Sequence, residues 1–127
     1  MSILLHKDTR VLVQGITGRI GRIQTKWMLE YGTRIVAGVT PGKGGETIER
    51  VPVFDSVLEA VRDTGAEASV FFVPARSVKD TVYETLEAGI RLIVVVTEHV
   101  PVHDSMEMKA EGRRLGATLG PTTPGIL

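Results

Sequence analysis

Short apolar runs alternate along this chain with longer segments whose apolar residues recur every three or four positions. Five of the short runs are β-branched or almost continuously apolar, which is typical of strands. They cover residues 9–14, 33–39, 68–73, 92–96 and 117–119. The run at 68–73 is apolar at nearly every position, which indicates a strand covered on both faces. Residues 51–53 form only a minor extended piece.

Four longer segments between the strands predict helices. The first opens near Gly18 and ends near Tyr31, and its apolar residues recur at helical spacing. These residues are Ile20, Ile23, Trp27 and Met28. The other helices are predicted at residues 56–63, 77–88 and 102–115.

The helix boundaries carry their own signals. Ser56 with Glu59, and Ser77 with Asp80, have the spacing of a capping box at the starts of two helices. Glycines stand where the chain leaves the helices, as expected of residues that end a helix. They are Gly32, Gly65, Gly89 and Gly116.

The alternation of strands and helices predicts the fold class. Five strands that alternate with four helices indicate right-handed βαβ units. We therefore predict an α/β fold, a Rossmann-like doubly wound parallel sheet of about five strands with helices on both faces. No internal repeat, low-complexity tract or linker divides the chain, so residues 1–127 are expected to form one domain.

Composition and charge narrow the classes of function. The chain is 43% hydrophobic, and 15 basic and 15 acidic side chains give a formal net charge of zero. A neutral chain lacks the usual electrostatic basis for binding nucleic acid or an anionic membrane, and no apolar run is long enough to span a bilayer. Without cysteine there is no disulfide and no thiolate metal site. The first eight residues do not resemble a secretory signal, so the cytoplasm is the expected location.

The turn after the first strand is a candidate phosphate site. In such a fold ligands bind outside the carboxyl ends of the strands, and here the first strand runs into Gly15, Gly18 and Gly21 at the opening of a helix. Backbone N–H groups and the positive end of the helix favour a phosphate at such a turn. Gly15 would permit the tight turn, Gly18 the approach of the phosphate, and Gly21 close packing of helix on strand. The alternative is that all three glycines only allow that packing.

The end of the second strand bears on which ligand binds. A domain specific for NAD usually places a carboxylate there to hold the ribose, but this chain enters a glycine-rich loop with Lys43 and has no carboxylate until Glu46. A cation in such a loop suits a phosphate on the ribose, as in coenzyme A or NADP. The alternative is that Lys43 is an ordinary solvated lysine.

The ends of the third and fourth strands offer further binding groups. Pro74 after Val73 presents a flat apolar surface without an N–H, against which a ring or thioether chain could lie. Thr97 and Glu98 offer a hydroxyl and a carboxylate at the same edge of the sheet. The alternative is that Pro74 only stops a strand and that Thr97 and Glu98 only begin a surface loop.

No constellation of catalytic residues accompanies these strand ends. His6, His99 and His103 have no metal-ligand spacing beyond the four-residue gap between His99 and His103, and they show no H-E-x-x-H pattern. No G-x-S-x-G motif occurs. The strand ends supply binding groups without an evident nucleophile, base or metal. This pattern predicts a protein that holds a ligand.

The same strand-end segments resemble those of one known family. They are residues 13–18, 31–33, 38–45, 51–54, 72–75 and 97–98. In order and over essentially the whole chain they closely resemble the α subunit of succinyl-CoA synthetase (succinate–CoA ligase), and the loop V-T-P-G-K-G-G at residues 39–45 is highly specific to that family.

The resemblance implies a ligand and a set of site residues. It implies that this chain corresponds to the family's N-terminal CoA-binding domain and that coenzyme A is the ligand. It also implies that ten residues form the site, the first four at the CoA phosphates. They are Thr17, Gly18, Arg19, Ile20, Lys43, Val73, Pro74, Val96, Thr97 and Glu98.

The resemblance further implies what this chain lacks. In the family the phosphorylated histidine lies in a C-terminal domain of the α subunit, and the β subunit binds the nucleotide. This chain stops at Leu127, so the expectation is a truncated chain or a stand-alone module that binds CoA but catalyses no ligation alone. Two other functions stay open from the residues, an NADP-dependent reductase-type domain and a CoA-sensing module.

Overall fold

A seven-stranded sheet runs through the part of the chain that the computed structural model describes, residues 8–96 and 102–120. The strands are β1 (Val11–Gln14), β2 (Ile35–Val39), β3 (Thr47–Ile48), β4 (Val51–Phe54), β5 (Ala68–Phe71), β6 (Leu92–Val95) and β7 (Thr118–Gly120). Their order across the sheet is β3-β4-β2-β1-β5-β6-β7. Every pair is parallel except β3 with β4.

Four helices cover the two faces of this sheet. They are α1 (Arg19–Glu30), α2 (Val57–Thr64), α3 (Ala75–Glu87) and α4 (Val102–Arg114). A right-handed crossover from β1 toward one edge of the sheet places its helix on one face, and right-handed crossovers toward the other edge place their helices on the opposite face. Accordingly, Val13 packs in the core that contacts α1, and Leu12 packs in the core that contains residues of α2, α3 and α4. The doubly wound α/β fold with helices on both faces is confirmed. No helix in the described ranges is both long and apolar enough to cross a bilayer.

The sheet has two more strands than the five predicted. The additional strands β3 and β4 form a hairpin, and β4 then pairs in parallel with β2 through Val53 and Phe54. The two turn residues, Glu49 and Arg50, both have positive φ, of 49° and 70°. Two-residue hairpins of this kind normally carry Asn-Gly or Asp-Gly, so the sequence gives no hairpin signal here.

The start of α2 matches its predicted capping box. Ser56 Oγ accepts a hydrogen bond from the Glu59 backbone N–H at 3.2 Å and lies 3.1 Å from Glu59 Oε1. The four glycines predicted at helix ends all have positive φ, which relieves the last turn of each helix without steric cost. These local signals were sufficient because cap and turn lie within a few residues of each other.

The predicted start of the third helix is wrong. α3 begins at Ala75 with Pro74 as its N-cap residue, and no side chain caps it. Ser77 therefore lies in the first turn, where its backbone N–H donates to the Pro74 carbonyl at 2.8 Å. Proline already has the extended φ and ψ that an N-cap residue needs, and its missing N–H costs nothing there.

Three of the four apolar residues whose spacing predicted α1 face outward, whereas the fourth, Met28, is partly buried against the core. Ile20, Ile23 and Trp27 are 64%, 44% and 55% exposed, whereas the buried residues of the helix are Gly21 and Thr25. A Cβ at Gly21 would overlap the Gly15 carbonyl oxygen. The start of the helix thus lies too close to the β1–α1 turn for large side chains on its inner face, whereas Met28 and Leu29 in the last turn pack against the core.

Candidate ligand-binding site

A cavity of about 510 Å³ opens at the carboxyl ends of the central strands. Its walls come from the ends of β1, β2 and β5 and from the first three turns of α3. The strand order reverses here, since β1 lies between β2 and β5. This is the position at which open α/β sheets bind ligands.

The three glycines of the β1–α1 turn differ in whether the surrounding structure requires a glycine. Gly15 has φ +76°, and a Cβ there would lie 2.5 Å from the Phe72 carbonyl oxygen. Gly21 is required by the close approach of α1 described above. Gly18 has ordinary φ of −70°, and among the described residues a Cβ there would meet only the Gly15 carbonyl oxygen, at 3.4 Å. The packing of this part of the chain therefore does not require a glycine at position 18.

The amino-terminal end of α1 is open to an anion. Gly18 is the N-cap residue and lines the cavity, no side chain in the described ranges caps the helix, and its first turn has no acidic residue. The first N–H groups of a helix need partners from outside it. Thr17 lies beside the cavity, with its hydroxyl 3.1 Å from that of Thr40, which lines the wall. Arg19 and Ile20 are both exposed in the first turn of α1.

The loop that carries Lys43 is held by a residue that sequence reasoning missed. Asp55 Oδ1 accepts hydrogen bonds from the backbone N–H groups of Gly42 at 3.0 Å and Gly44 at 2.9 Å. Asp55 follows β4 directly, and β4 is parallel to β2, so both strand ends reach the same edge. Once residues 51–54 are known to be a strand of this sheet, the position of Asp55 follows.

Lys43 is exposed and does not line the cavity. Its Nζ lies 3.9 Å from Glu46 Oε2, a long contact between exposed groups that contributes little. Lys43 therefore lies outside the cavity, on a loop whose backbone N–H groups are held by Asp55.

The remaining predicted residues divide into three groups. Val73 and Pro74 line the cavity. Val96 follows β6, is 48% exposed, and does not line the cavity. Thr97 and Glu98 lie outside the described residues.

One wall of the cavity comes from α3 and was not predicted. Ser77, Asp80, Thr81 and Glu84 line it at helical spacing. Burial raises the pKa of the Glu84 carboxyl, and the charge of Glu87 raises it further. The spacing of these polar residues is visible in the sequence, but nothing in the sequence shows that this side of the helix meets β1.

Gln14 is a second residue that sequence reasoning missed. It ends β1, is 3% exposed and lines the cavity. Its side-chain nitrogen contacts hydroxyl groups of Ser69 and Thr85. A polar residue at the end of an apolar strand is its only sequence signal.

Comparisons with known proteins show the family to which the chain belongs. A family model described as the CoA binding domain matches residues 6–99. The α subunit 2 of an ADP-forming succinate–CoA ligase from Archaeoglobus fulgidus is 55% identical over 100% of this chain. The corresponding α subunit from Methanothermobacter thermautotrophicus is 53% identical over 98% of the chain. The chain spans only 45% and 43% of the lengths of these two relatives.

A solved structure provides a further match. The ATP citrate lyase of Methanothrix soehngenii, in complex with citrate and coenzyme A, superposes with a TM-score of 0.80 at 26% identity. The match covers 95% of this chain and 22% of that protein.

Proposed function

This chain belongs to the CoA-binding domain family, and on that premise we propose that it holds coenzyme A for an acyl-CoA ligase of the succinate–CoA ligase type. The observation that carries the proposal is the cavity at the reversal of strand order, with the open end of α1 in its wall. The α-subunit relatives and the CoA-bound lyase support the same ligand.

The proposed site uses the residues at four strand ends. Thr17, Gly18, Arg19 and Ile20 bind the CoA phosphates through the open turn of α1, and Lys43 binds the ribose 3′-phosphate. Val73 and Pro74 form an apolar surface for an uncharged part of the ligand. Val96, Thr97 and Glu98 complete the site at the end of β6. This set is supported by the position of Gly18, Val73 and Pro74 in one cavity wall.

The role proposed for this domain in the reaction is positional. By holding the nucleotide end of CoA, the domain brings the pantetheine thiol to a reacting group elsewhere. Holding it there lowers the entropic part of the activation free energy. The partners proposed are a C-terminal α domain and a ligase β subunit, in keeping with relatives that are named as α subunits. The cytoplasm is the proposed location, in keeping with a chain that has no cysteine.

A titration of the purified chain with four ligands tests the proposal. We expect CoA to bind most tightly, dephospho-CoA more weakly, and NADP and NAD weakest of all. Isothermal titration at fixed ionic strength measures all four. NADP binding as tight as CoA binding would overturn the proposal.

A further inference from the structure

The side chain of Gln14 is held rigidly at the cavity wall. Its Nε2 donates to Ser69 Oγ on β5 at 2.9 Å and to Thr85 Oγ1 on α3 at 2.6 Å. Both amide hydrogens are therefore bound by protein groups. The carboxamide oxygen, Oε1, makes no hydrogen bond with residues 8–96 or 102–120.

The hydrogen-bond network itself fixes which end of the amide faces α3. The Thr85 hydroxyl donates its single hydrogen to the Thr81 carbonyl oxygen at 2.7 Å, so it can only accept from Gln14. The amide nitrogen must therefore face Thr85, and Oε1 is the part of the side chain left for a ligand.

Three of the four α3 residues that line the cavity present acceptors too, and the fourth, Ser77, has a hydroxyl that can also donate. The Thr81 hydroxyl donates its hydrogen to the Ser77 carbonyl oxygen at 2.7 Å, which leaves only its lone pairs. Asp80 and Glu84 follow at the same wall, and ionised carboxylates only accept hydrogen bonds. Gln14, Asp80, Thr81 and Glu84 together form what we call the acceptor wall.

The cavity is therefore polarised. On the β1–α1 side, backbone N–H groups at the open end of α1 favour an anion. On the α3 side, the acceptor wall disfavours an anion, and its oxygen atoms have lone pairs that can accept hydrogen bonds from a ligand. A ligand with phosphate at one end and N–H groups elsewhere matches both sides in only one orientation.

We propose that the acceptor wall binds N–H groups of the ligand and that Gln14 Oε1 is its fixed acceptor, which orients CoA in the cavity. The inference rests on the proposed function for the identity of the ligand. CoA carries N–H groups in two places, the amides of its pantetheine arm and the 6-amino group of its adenine. Either source satisfies the same acceptor.

Binding of the two halves of CoA separates these sources. Adenosine 3′,5′-bisphosphate and 4′-phosphopantetheine are titrated against the parent and against Gln14→Met, which removes the acceptor but keeps the length of the side chain. We expect Gln14→Met to weaken CoA and one of the two halves about fivefold, the size of one neutral hydrogen bond. Ser69→Ala is the matched control, because it removes a partner of Gln14 that does not line the cavity, and should change affinity less than twofold.

The inference fails if Gln14→Met is folded and binds CoA and both halves as tightly as the parent does. It also fails if Ser69→Ala and Gln14→Met weaken both halves equally, since the effect is then structural. If Gln14→Met does not fold, the parent is titrated with CoA whose adenine lacks the 6-amino group and with CoA whose pantetheine amides are N-methylated. Unchanged affinity for both analogues overturns the inference. A parent that does not bind CoA overturns the proposed function as well.

Discussion

At the scale of single residues, Gly18 separates ligand binding from folding. A Cβ there touches nothing closer than 3.4 Å among the described residues, but it would project where a phosphate approaches the open end of α1. We expect Gly18→Ala to leave the free energy of unfolding within about 0.5 kcal/mol of the parent and to weaken CoA binding at least about fivefold. Urea unfolding and titration with CoA measure the two effects. Parent-like CoA affinity in a folded variant would remove the phosphate from this turn.

Lys43 tests which phosphate its loop meets. A charge-assisted contact to a partly desolvated phosphate is worth roughly 1.5–3 kcal/mol, so Lys43→Ala should weaken CoA about tenfold or more. If the partner is the ribose 3′-phosphate, dephospho-CoA binding should hardly change. Because the contact of Lys43 with Glu46 is long, at 3.9 Å, this substitution should change the free energy of unfolding very little.

The outcomes for the two ligands differ in meaning. Equal weakening of CoA and dephospho-CoA would assign Lys43 to the pyrophosphate. Unchanged CoA affinity would exclude Lys43 from the site. Lys79→Ala is a useful control, because Lys79 pairs with Glu107 at 2.8 Å and does not line the cavity.

At the scale of elements, α1 shows how a helix can pack with its small residues inward. Gly21 and Thr25 are buried against the β1–α1 turn and the sheet, while Ile20, Ile23 and Trp27 are largely exposed. Apolar periodicity locates a helix correctly because it reports the period, and it identifies the buried face only where large side chains fit against the sheet.

Two substitutions in α1 should therefore change the free energy of unfolding in a way that hydrophobicity alone does not predict. Gly21→Ala raises helix propensity by about 1 kcal/mol, yet the added methyl overlaps the Gly15 carbonyl oxygen. We expect a net loss of about 1–3 kcal/mol, typical of overpacking. Trp27→Gln should change the free energy of unfolding by no more than about 0.5 kcal/mol, since Trp27 is 55% exposed. Urea unfolding of both variants checks this, and a destabilised Trp27→Gln with a parent-like Gly21→Ala would contradict it.

At the scale of the whole molecule, the topology gathers groups that are far apart in sequence. Gln14, Thr40 and Pro74 come from the ends of three different strands and line one cavity. They meet because parallel strands end at one edge and because the order β2-β1-β5 opens a crevice there. The described residues that line the cavity include hydroxyl, carboxamide and carboxylate groups that can bind a ligand.

If the role of this domain is to position CoA, the isolated chain should bind CoA and form no acyl-CoA. Incubation with succinate, CoA and ATP or GTP, followed by chromatographic detection of succinyl-CoA, tests this directly. CoA titration of the same preparation serves as the control for a folded protein. Succinyl-CoA formed above the protein-free blank would contradict the prediction.

The sequence by itself determined the features that depend on neighbouring residues. The four helices, the five strands that alternate with them and the capping box at Ser56 follow from periodicity and local hydrogen bonding. So does the glycine turn after β1, because strand, turn and helix start lie within a dozen residues. The hairpin at Glu49 and Arg50 escaped prediction because its positive φ values are imposed by the pairing of β3 with β4.

Only the tertiary structure decided which residues face one another. The acceptor wall needs α3 packed beside β1, and the Asp55 contact needs β4 placed beside β2. Likewise, the inward face of α1 depends on its distance from Gly15. Periodicity specifies the side of a helix or strand on which a side chain lies. The residues that this side chain contacts depend on how the helices and strands pack, and that packing is a property of the whole chain.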